Sequence, residues 1–141
     1  MAGTNVPEVY CWEISAGDLN VYLASKREGA LRIGLTLKKQ ADCIDFFRGL
    51  FPNTRLVKDY HFNRQIVQVV EAALTNKRHR GGFDRAFSCT QFQWRVLNAI
   101  KAIPFGETRR YGEVGLMVGK AGGARAVGQA LGSNPLPLVF P

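Results

Sequence analysis

The sequence is poor in histidine, cysteine and acidic residues, and each shortage removes a class of function. The two histidines, His61 and His79, lie far apart in the chain. The cysteines are an odd number and do not have the spacing of zinc ligands: Cys11, Cys43 and Cys89. Neither a disulfide framework nor a Cys/His metal site is predicted. Aspartate and glutamate number 11 against 19 lysines and arginines, so the net charge is +8. That excess favours a polyanionic partner.

Long apolar runs are also absent. No stretch approaches the roughly 18 residues of a membrane span, and the N-terminal residues MAGTNVPEVY lack the basic region and apolar block of a signal peptide. We therefore expect an intracellular protein without a membrane partner, either cytoplasmic and associated with a bacterial or archaeal nucleoid, or nuclear. With 141 residues, 46% of them hydrophobic, the chain is long enough for one moderate globular domain or two small ones.

The first half of the chain shows strand periodicity followed by helical periodicity. Apolar residues alternate over residues 19–25 and 31–37, which predicts two half-buried strands, and residues 9–14 are a candidate third strand. Helical spacing follows over residues 43–51 and 62–73. These patterns predict an N-terminal domain of residues 1–84, built from a small antiparallel sheet with helices. The charged segment at residues 77–82 is interpreted as a solvated loop at the boundary, in preference to a phosphate-binding patch.

The second half, residues 85–141, is more basic than the first, and its pattern of apolar residues predicts mainly helices. It holds seven lysines and arginines against two acidic residues. A capping box, formed either by Ser88 with Gln91 or by Thr90 with Gln93, predicts the start of a helix that ends before Pro104. A short weak helix from Tyr111, a glycine-bearing turn and a helix over residues 123–131 follow, and then a short apolar strand over residues 136–140. Two short helices joined by such a turn predict a (winged) helix-turn-helix, and the fold class is α+β.

The last of these helices is made almost entirely of small residues and carries one long cation, Arg125. Such a surface suits close, sequence-tolerant contact with nucleic acid, for which the narrow minor groove is the better match. The alternative is that the small residues allow tight packing against another helix.

Residues 92–141 resemble the C-terminal domain of the O6-alkylguanine-DNA alkyltransferases, also called methylated-DNA–protein-cysteine methyltransferases. The motifs PFGE, RAVG and NPLPLVFP carry this resemblance in combination. The first half resembles the family's N-terminal domain only in its layout. The resemblance implies a C-terminal DNA-binding and alkyltransferase domain of residues 85–141, incomplete at its C-terminus.

The resemblance also implies a reaction and a partner. In that family a guanine is flipped out of duplex DNA, and a cysteine thiolate takes the alkyl group from O6 irreversibly in a single turnover, by direct displacement and without a cofactor. The implied partner is double-stranded DNA containing O6-alkylguanine, and the implied protein is a monomer without a metal.

Individual residues match the family's functional positions. Arg125 is expected to enter the duplex in place of the extruded nucleotide, and Tyr111 to crowd the target phosphate and promote its rotation. Asn134 is expected to brace the turn before the active-site segment. Two further sets are implied, one at the DNA (Gln93, Gly112, Lys120, Gly123, Ala124, Ala126 and Gly128) and one at the alkyl pocket (Leu131 and Pro137).

The sequence departs from the family pattern at its end. The reactive cysteine belongs to a Pro-Cys-His-Arg motif and would be position 142, so the 141-residue chain is expected to be inactive in transfer. A fragment of an active alkyltransferase is the favoured interpretation, because the domain would otherwise stop on a buried apolar strand. The alternatives are a lesion-binding relative or helix-turn-helix regulator without enzymatic activity, and a basic domain that binds RNA or a scaffold.

Overall fold

The computed structural model describes residues 6–38, 41–75, 77, 81–104 and 107–140. The chain divides into two compact units, residues 1–87 and 88–141, and the α+β fold class is confirmed. The predicted domain boundary at residues 84/85 falls three residues before that division. Of the predicted boundary loop, residues 78–80 lie outside the described residues, as do Phe105, Gly106 and Pro141 of the sequence motifs.

The first unit is built on a four-stranded sheet. Its strands are β1 (Glu8–Ala16), β2 (Leu19–Lys26), β3 (Gly29–Thr36) and β4 (Arg55–Lys58), in the order β3-β2-β1-β4. β1 and β3 each pair antiparallel with β2, as predicted. The sequence did not predict β4, which pairs parallel with β1. A strand of only four residues, with no alternation and a partner over 40 residues away, leaves no periodic signal.

Helix α1 (Cys43–Arg48) covers one face of this sheet. The buried cluster beneath it contains Val9, Cys11, Tyr22, Ala24, Cys43 and Phe47. Phe46 of the helix stacks on Tyr22 with ring centroids 4.2 Å apart. Gly34 makes this possible, since a Cβ there would lie 2.3 Å from the Phe46 ring. The helix ends at residue 48, three residues earlier than predicted.

A short 3₁₀ turn (His61–Asn63) leads into helix α2 (Arg64–Leu74). The buried side-chain amide of Asn63 donates to the carbonyl of Tyr10 at 3.1 Å, and the Phe62 ring packs at a tilt against the Tyr10 ring with centroids 4.3 Å apart. These contacts join the turn to β1. Farther along the chain, the amide of Ala30 donates to the carbonyl of Asp84 at 2.8 Å, so the segment before the second unit is tied to β3.

Helices are the only regular secondary structure among the described residues of the second unit. It contains α3 (Gln91–Lys101), α4 (Tyr111–Met117) and α5 (Ala124–Gly132). Their shared core consists of Val96, Val114, Val127 and Ala130, all buried. Of the two possible capping boxes, the structure forms the one between Thr90 and Gln93. Among the residues described in either unit, no helix has the length and apolarity needed to cross a membrane.

Candidate nucleic-acid interface

Helices α4 and α5 are joined by a tight turn that two glycines make possible. Gly119 and Gly122 have φ values of 81° and 73°, a region that residues with a Cβ rarely adopt. Inside the turn, the amide of Lys120 donates to the carbonyl of Gly115 at 2.7 Å, and the amide of Gly123 donates to the carbonyl of Lys120 at 3.1 Å. The backbone of Lys120 is therefore fixed from both sides.

Two further glycines allow the helices to approach this turn. A Cβ at Gly115 or at Gly123 would lie 2.8 Å from the carbonyl oxygen of Lys120. Both glycines are buried. The structure thus places Gly123, expected at the DNA surface, in the packing at the start of α5, where it is the N-cap residue.

Helix α5 divides into a buried face and an accessible face. Val127 and Ala130 point into the core, Ala124 and Arg125 are exposed, and Ala126 is half-buried. Within the described part of the chain, Arg125 makes no ion pair or hydrogen bond. Arg125 is therefore a long cation in the first turn of a helix whose accessible face otherwise carries alanine and glycine, with Gln129 as a longer exposed side chain nearer its C-terminus.

Tyr111, the first residue of α4, lies against α5. The residue is 52% exposed, and a Cβ at Gly128 would lie 3.2 Å from the Cε2 atom of its ring. The structure therefore brings together Tyr111, Gly128 and, one turn earlier on α5, Arg125. The sequence resemblance named all three without indicating that the first two touch.

Gln93 and Lys120 lie near the start of α3. The side-chain oxygen of Gln93 accepts from the Thr90 amide at 2.9 Å as part of the capping box, so the side-chain NH₂ remains for other partners. The ammonium of Lys120 lies 5.0 Å from the centroid of the Phe92 ring, a cation–π contact. Gly112 on α4 is half-buried, and a Cβ there would meet nothing within 4 Å.

The segment after α5 is a compact turn, and the predicted strand over residues 136–140 is wrong. The amide of Phe140 donates back to the carbonyl of Leu136 at 3.1 Å, and Leu138 has a φ of 76°. Two prolines, Pro135 and Pro137, lack the amide hydrogens that a strand would donate to a neighbour. The apolar residues that suggested a strand are explained by burial instead, since Leu136 and Phe140 are buried.

Asn134 holds this turn together. Its side-chain oxygen accepts from the Leu136 amide at 2.9 Å, and its side-chain nitrogen donates to the Phe140 carbonyl at 2.6 Å. This geometry agrees with the bracing role that the resemblance implied. Leu131 packs against the core of the second unit and Pro137 is half-buried; their assignment to an alkyl pocket stays a prediction.

We expect Asn134→Ala to loosen this turn. Both hydrogen bonds disappear and two buried backbone groups lose partners, at a cost of about 1–3 kcal/mol. The amide of Leu136 should then exchange with solvent much faster, as followed by hydrogen–deuterium exchange. Ser133→Ala, which removes a neighbouring hydroxyl with only a 3.4 Å contact to the Gln129 carbonyl, is the control and should leave this exchange rate unchanged. Equal protection in the two variants would contradict a bracing role.

None of the three cysteines belongs to α4 or α5. Cys11 and Cys43 are buried in the core of the first unit, where a hydrogen bond with Cys43 and burial raise the pKa of the Cys11 thiol. Cys89 is half-buried just before the N-cap of α3. Within the described ranges, no three His, Cys, Asp or Glu side chains are grouped closely enough to hold a metal ion.

Comparison with known proteins gives matches over each part of the chain. A family model described as 6-O-methylguanine DNA methyltransferase, DNA binding domain, matches residues 91–141. The inducible methylated-DNA–protein-cysteine methyltransferase of Bacillus subtilis strain 168 is 31% identical over 138 residues, which are 98% of this chain and 77% of that protein. A methyltransferase of the same name from Mycolicibacterium paratuberculosis is 52% identical over 52 residues, 37% of this chain and 32% of the relative.

Solved structures agree with these matches. The crystal structure of the Mycobacterium tuberculosis O6-methylguanine methyltransferase superimposes with a TM-score of 0.68 and 26% identity, over 94% of this chain and 75% of that one. A structure of the M. tuberculosis protein in complex with DNA gives a TM-score of 0.67 and 26% identity, over 95% of this chain and 74% of the other. The fold and the helical unit thus define a protein of the DNA alkyltransferase class. The chain belongs to the methylated-DNA–protein-cysteine methyltransferase family.

Proposed function

We propose that this chain binds double-stranded DNA through the accessible face of α4 and α5 and, as part of a DNA repair protein, presents O6-alkylguanine for transfer of its alkyl group to a cysteine. The observation that carries the proposal is the grouping on one surface of Arg125, Tyr111 and the small residues of α5. Small side chains let the backbone approach a narrow groove closely, and Arg125 has the length to reach the base stack.

The charges of this unit support a DNA partner. Arg125 has no acidic partner among the described residues, and Arg110 and Lys120 are exposed on the same helix-turn-helix. Each cation that meets a phosphate releases counterions, so the affinity should fall steeply as salt is raised. The exposed Tyr111 ring would press on the phosphate of the target nucleotide and favour its rotation out of the helix.

The transfer itself is a direct displacement. A thiolate sulfur attacks the alkyl carbon, the new S–C bond forms as the C–O6 bond breaks, and the bonding electrons leave on the guanine oxygen, after which the base takes up a proton. None of the 141 residues is proposed as the nucleophile. Cys11 and Cys43 are buried in the first unit, and Cys89 lies just before the N-cap of α3, outside the α4 and α5 helices that are proposed to bind DNA. The proposed thiolate belongs to a Pro-Cys-His-Arg motif whose proline is Pro141.

The test compares a duplex containing one O6-methylguanine with the same duplex unmodified. We expect the 141-residue chain to bind both, to prefer the methylated duplex, and to take up no methyl group by intact mass. A chain extended by Cys-His-Arg and the family's closing segment should gain one methyl group per molecule. Binding by both chains with transfer by neither would favour a lesion-binding protein, and absence of duplex binding at low salt would overturn the proposal.

A further inference from the structure

We propose that Gly128 is a positioning residue for Tyr111: its lack of a side chain creates the seat on α5 in which the phenol ring lies. The purpose assigned to that ring rests on the proposed function, whereas the contact is a property of the free protein. Gly128 would therefore act through Tyr111 in addition to any approach it makes to DNA.

The seat is defined by two distances. A Cβ on Gly128 would lie 3.2 Å from Cε2 and 3.4 Å from Cδ2 of the Tyr111 ring. The first distance is shorter than ordinary van der Waals contact between carbon atoms, so alanine at this position must push the ring outward by a few tenths of an ångström. Even the smallest side chain thus changes where the phenol sits.

Packing is what holds the ring. Within the described residues, the Tyr111 hydroxyl makes no hydrogen bond that would anchor its far end. Tyr111 as a whole is 52% exposed, and the contact of its ring with Gly128 supplies a fixed surface on one side. The hydroxyl consequently stays available to an incoming phosphate while the ring plane is set by α5.

The same seat relates Tyr111 to Arg125. Gly128 follows Arg125 by three residues on α5, and residues three apart are neighbours on one helix face. The phenol ring thereby lies against α5 about one helical turn from the backbone of Arg125. A side chain that crowds the phosphate and a side chain that fills the vacated stack must act on the same nucleotide, so their spacing is a functional quantity.

Gly128→Ala should change DNA binding without loss of stability. Because the half-exposed ring can move, Gly128→Ala should fold normally, and alanine is the better helix former by about 1 kcal/mol. Gly132→Ala is the matched control, since Gly132 ends the same helix and a Cβ there would meet nothing within 4 Å. Both variants should melt at or above the temperature of the unaltered chain.

The first measurement uses the protein without DNA. In the unaltered chain, NMR should show a nuclear Overhauser effect between the Gly128 α-protons and the Tyr111 ring protons. Gly128→Ala should shift the ring resonances, and Gly132→Ala should not. Absence of the Overhauser effect in the unaltered chain would overturn the inference whatever the fate of the DNA proposal.

The second measurement is affinity for the O6-methylguanine duplex. We expect Gly128→Ala to lose about 3- to 10-fold, because small misplacements of a positioning group are costly, while Gly132→Ala stays unchanged. In a Tyr111→Ala background, Gly128→Ala should cause a much smaller loss than it causes in the unaltered chain, since residues acting through one contact are not additive. An undiminished loss in that background would show that position 128 acts on DNA directly and would overturn the inference. A loss for Tyr111→Ala with none for Gly128→Ala would overturn it while leaving the proposed function standing.

Discussion

Arg125→Ala should weaken binding to a duplex containing O6-methylguanine by about 10- to 100-fold, because a side chain that stacks in place of a base is worth about 1–3 kcal/mol. The melting temperature should not change, since Arg125 is exposed and has no partner among the described residues. Fluorescence anisotropy with a labelled duplex gives the affinity. A loss confined to the unmodified duplex would contradict a role in base extrusion.

Two companion variants separate insertion from simple charge. Arg125→Lys keeps the charge but loses the planar group, so it should retain the salt dependence while recovering only part of the affinity. Arg48→Ala removes a cation from the first unit, where the Arg48 side chain is 70% exposed, and it should change affinity by less than about twofold. Equal losses from Arg48→Ala and Arg125→Ala would mean that net charge alone drives binding.

Gly115→Ala should destabilise the helix-turn-helix by about 1–3 kcal/mol, as overpacking of a closed interior does. The added Cβ would lie 2.8 Å from the carbonyl oxygen of Lys120, and this backbone atom cannot swing aside as a flexible side chain would. The same Lys120 residue donates its amide to the Gly115 carbonyl, so the turn and the helix would be forced apart. Urea unfolding of the full chain measures the change in the free energy of unfolding.

Gly112→Ala is the matched control on the same helix. A Cβ at Gly112 would meet nothing within 4 Å, and alanine favours helix by up to about 1 kcal/mol, so this variant should be neutral or more stable. Similar stability for the two variants would show that the close approach of α4 to the turn is not needed. Gly115→Ala should also weaken duplex binding, because the turn fixes Lys120 and the start of α5.

The sequence predicted those parts of the fold that rest on local periodicity and on local chain geometry. The alternation in β2 and β3, the capping box of Thr90 and the glycine turn before α5 all depend on neighbouring residues. Strand β4 depends on pairing with β1, and the turn at residues 136–140 depends on the Asn134 side chain and on prolines that cannot complete a strand. Long-range pairing and burial leave little trace in local patterns.

In the candidate site, too, the sequence identified individual residues but not the contacts between distant ones. The resemblance, carried by PFGE, RAVG and NPLPLVFP in combination, identified Arg125 and Gly128 as separate positions. It could not show that Gly128 seats the Tyr111 ring, that Gly123 is buried, or that the Lys120 ammonium lies over Phe92. These features depend on which groups the packed helices bring into contact, and local sequence patterns do not specify those contacts.

The most direct test of the account is an NMR titration of the ¹⁵N-labelled chain with a short O6-methylguanine duplex. We predict that the largest amide shifts will map to Tyr111, Gly112 and residues 123–128, with a smaller response near Gln93 and Lys120, and that they will be reduced by Arg125→Ala. Shifts concentrated in β1–β4 and α1, with the α4–α5 surface unaffected, would contradict the account.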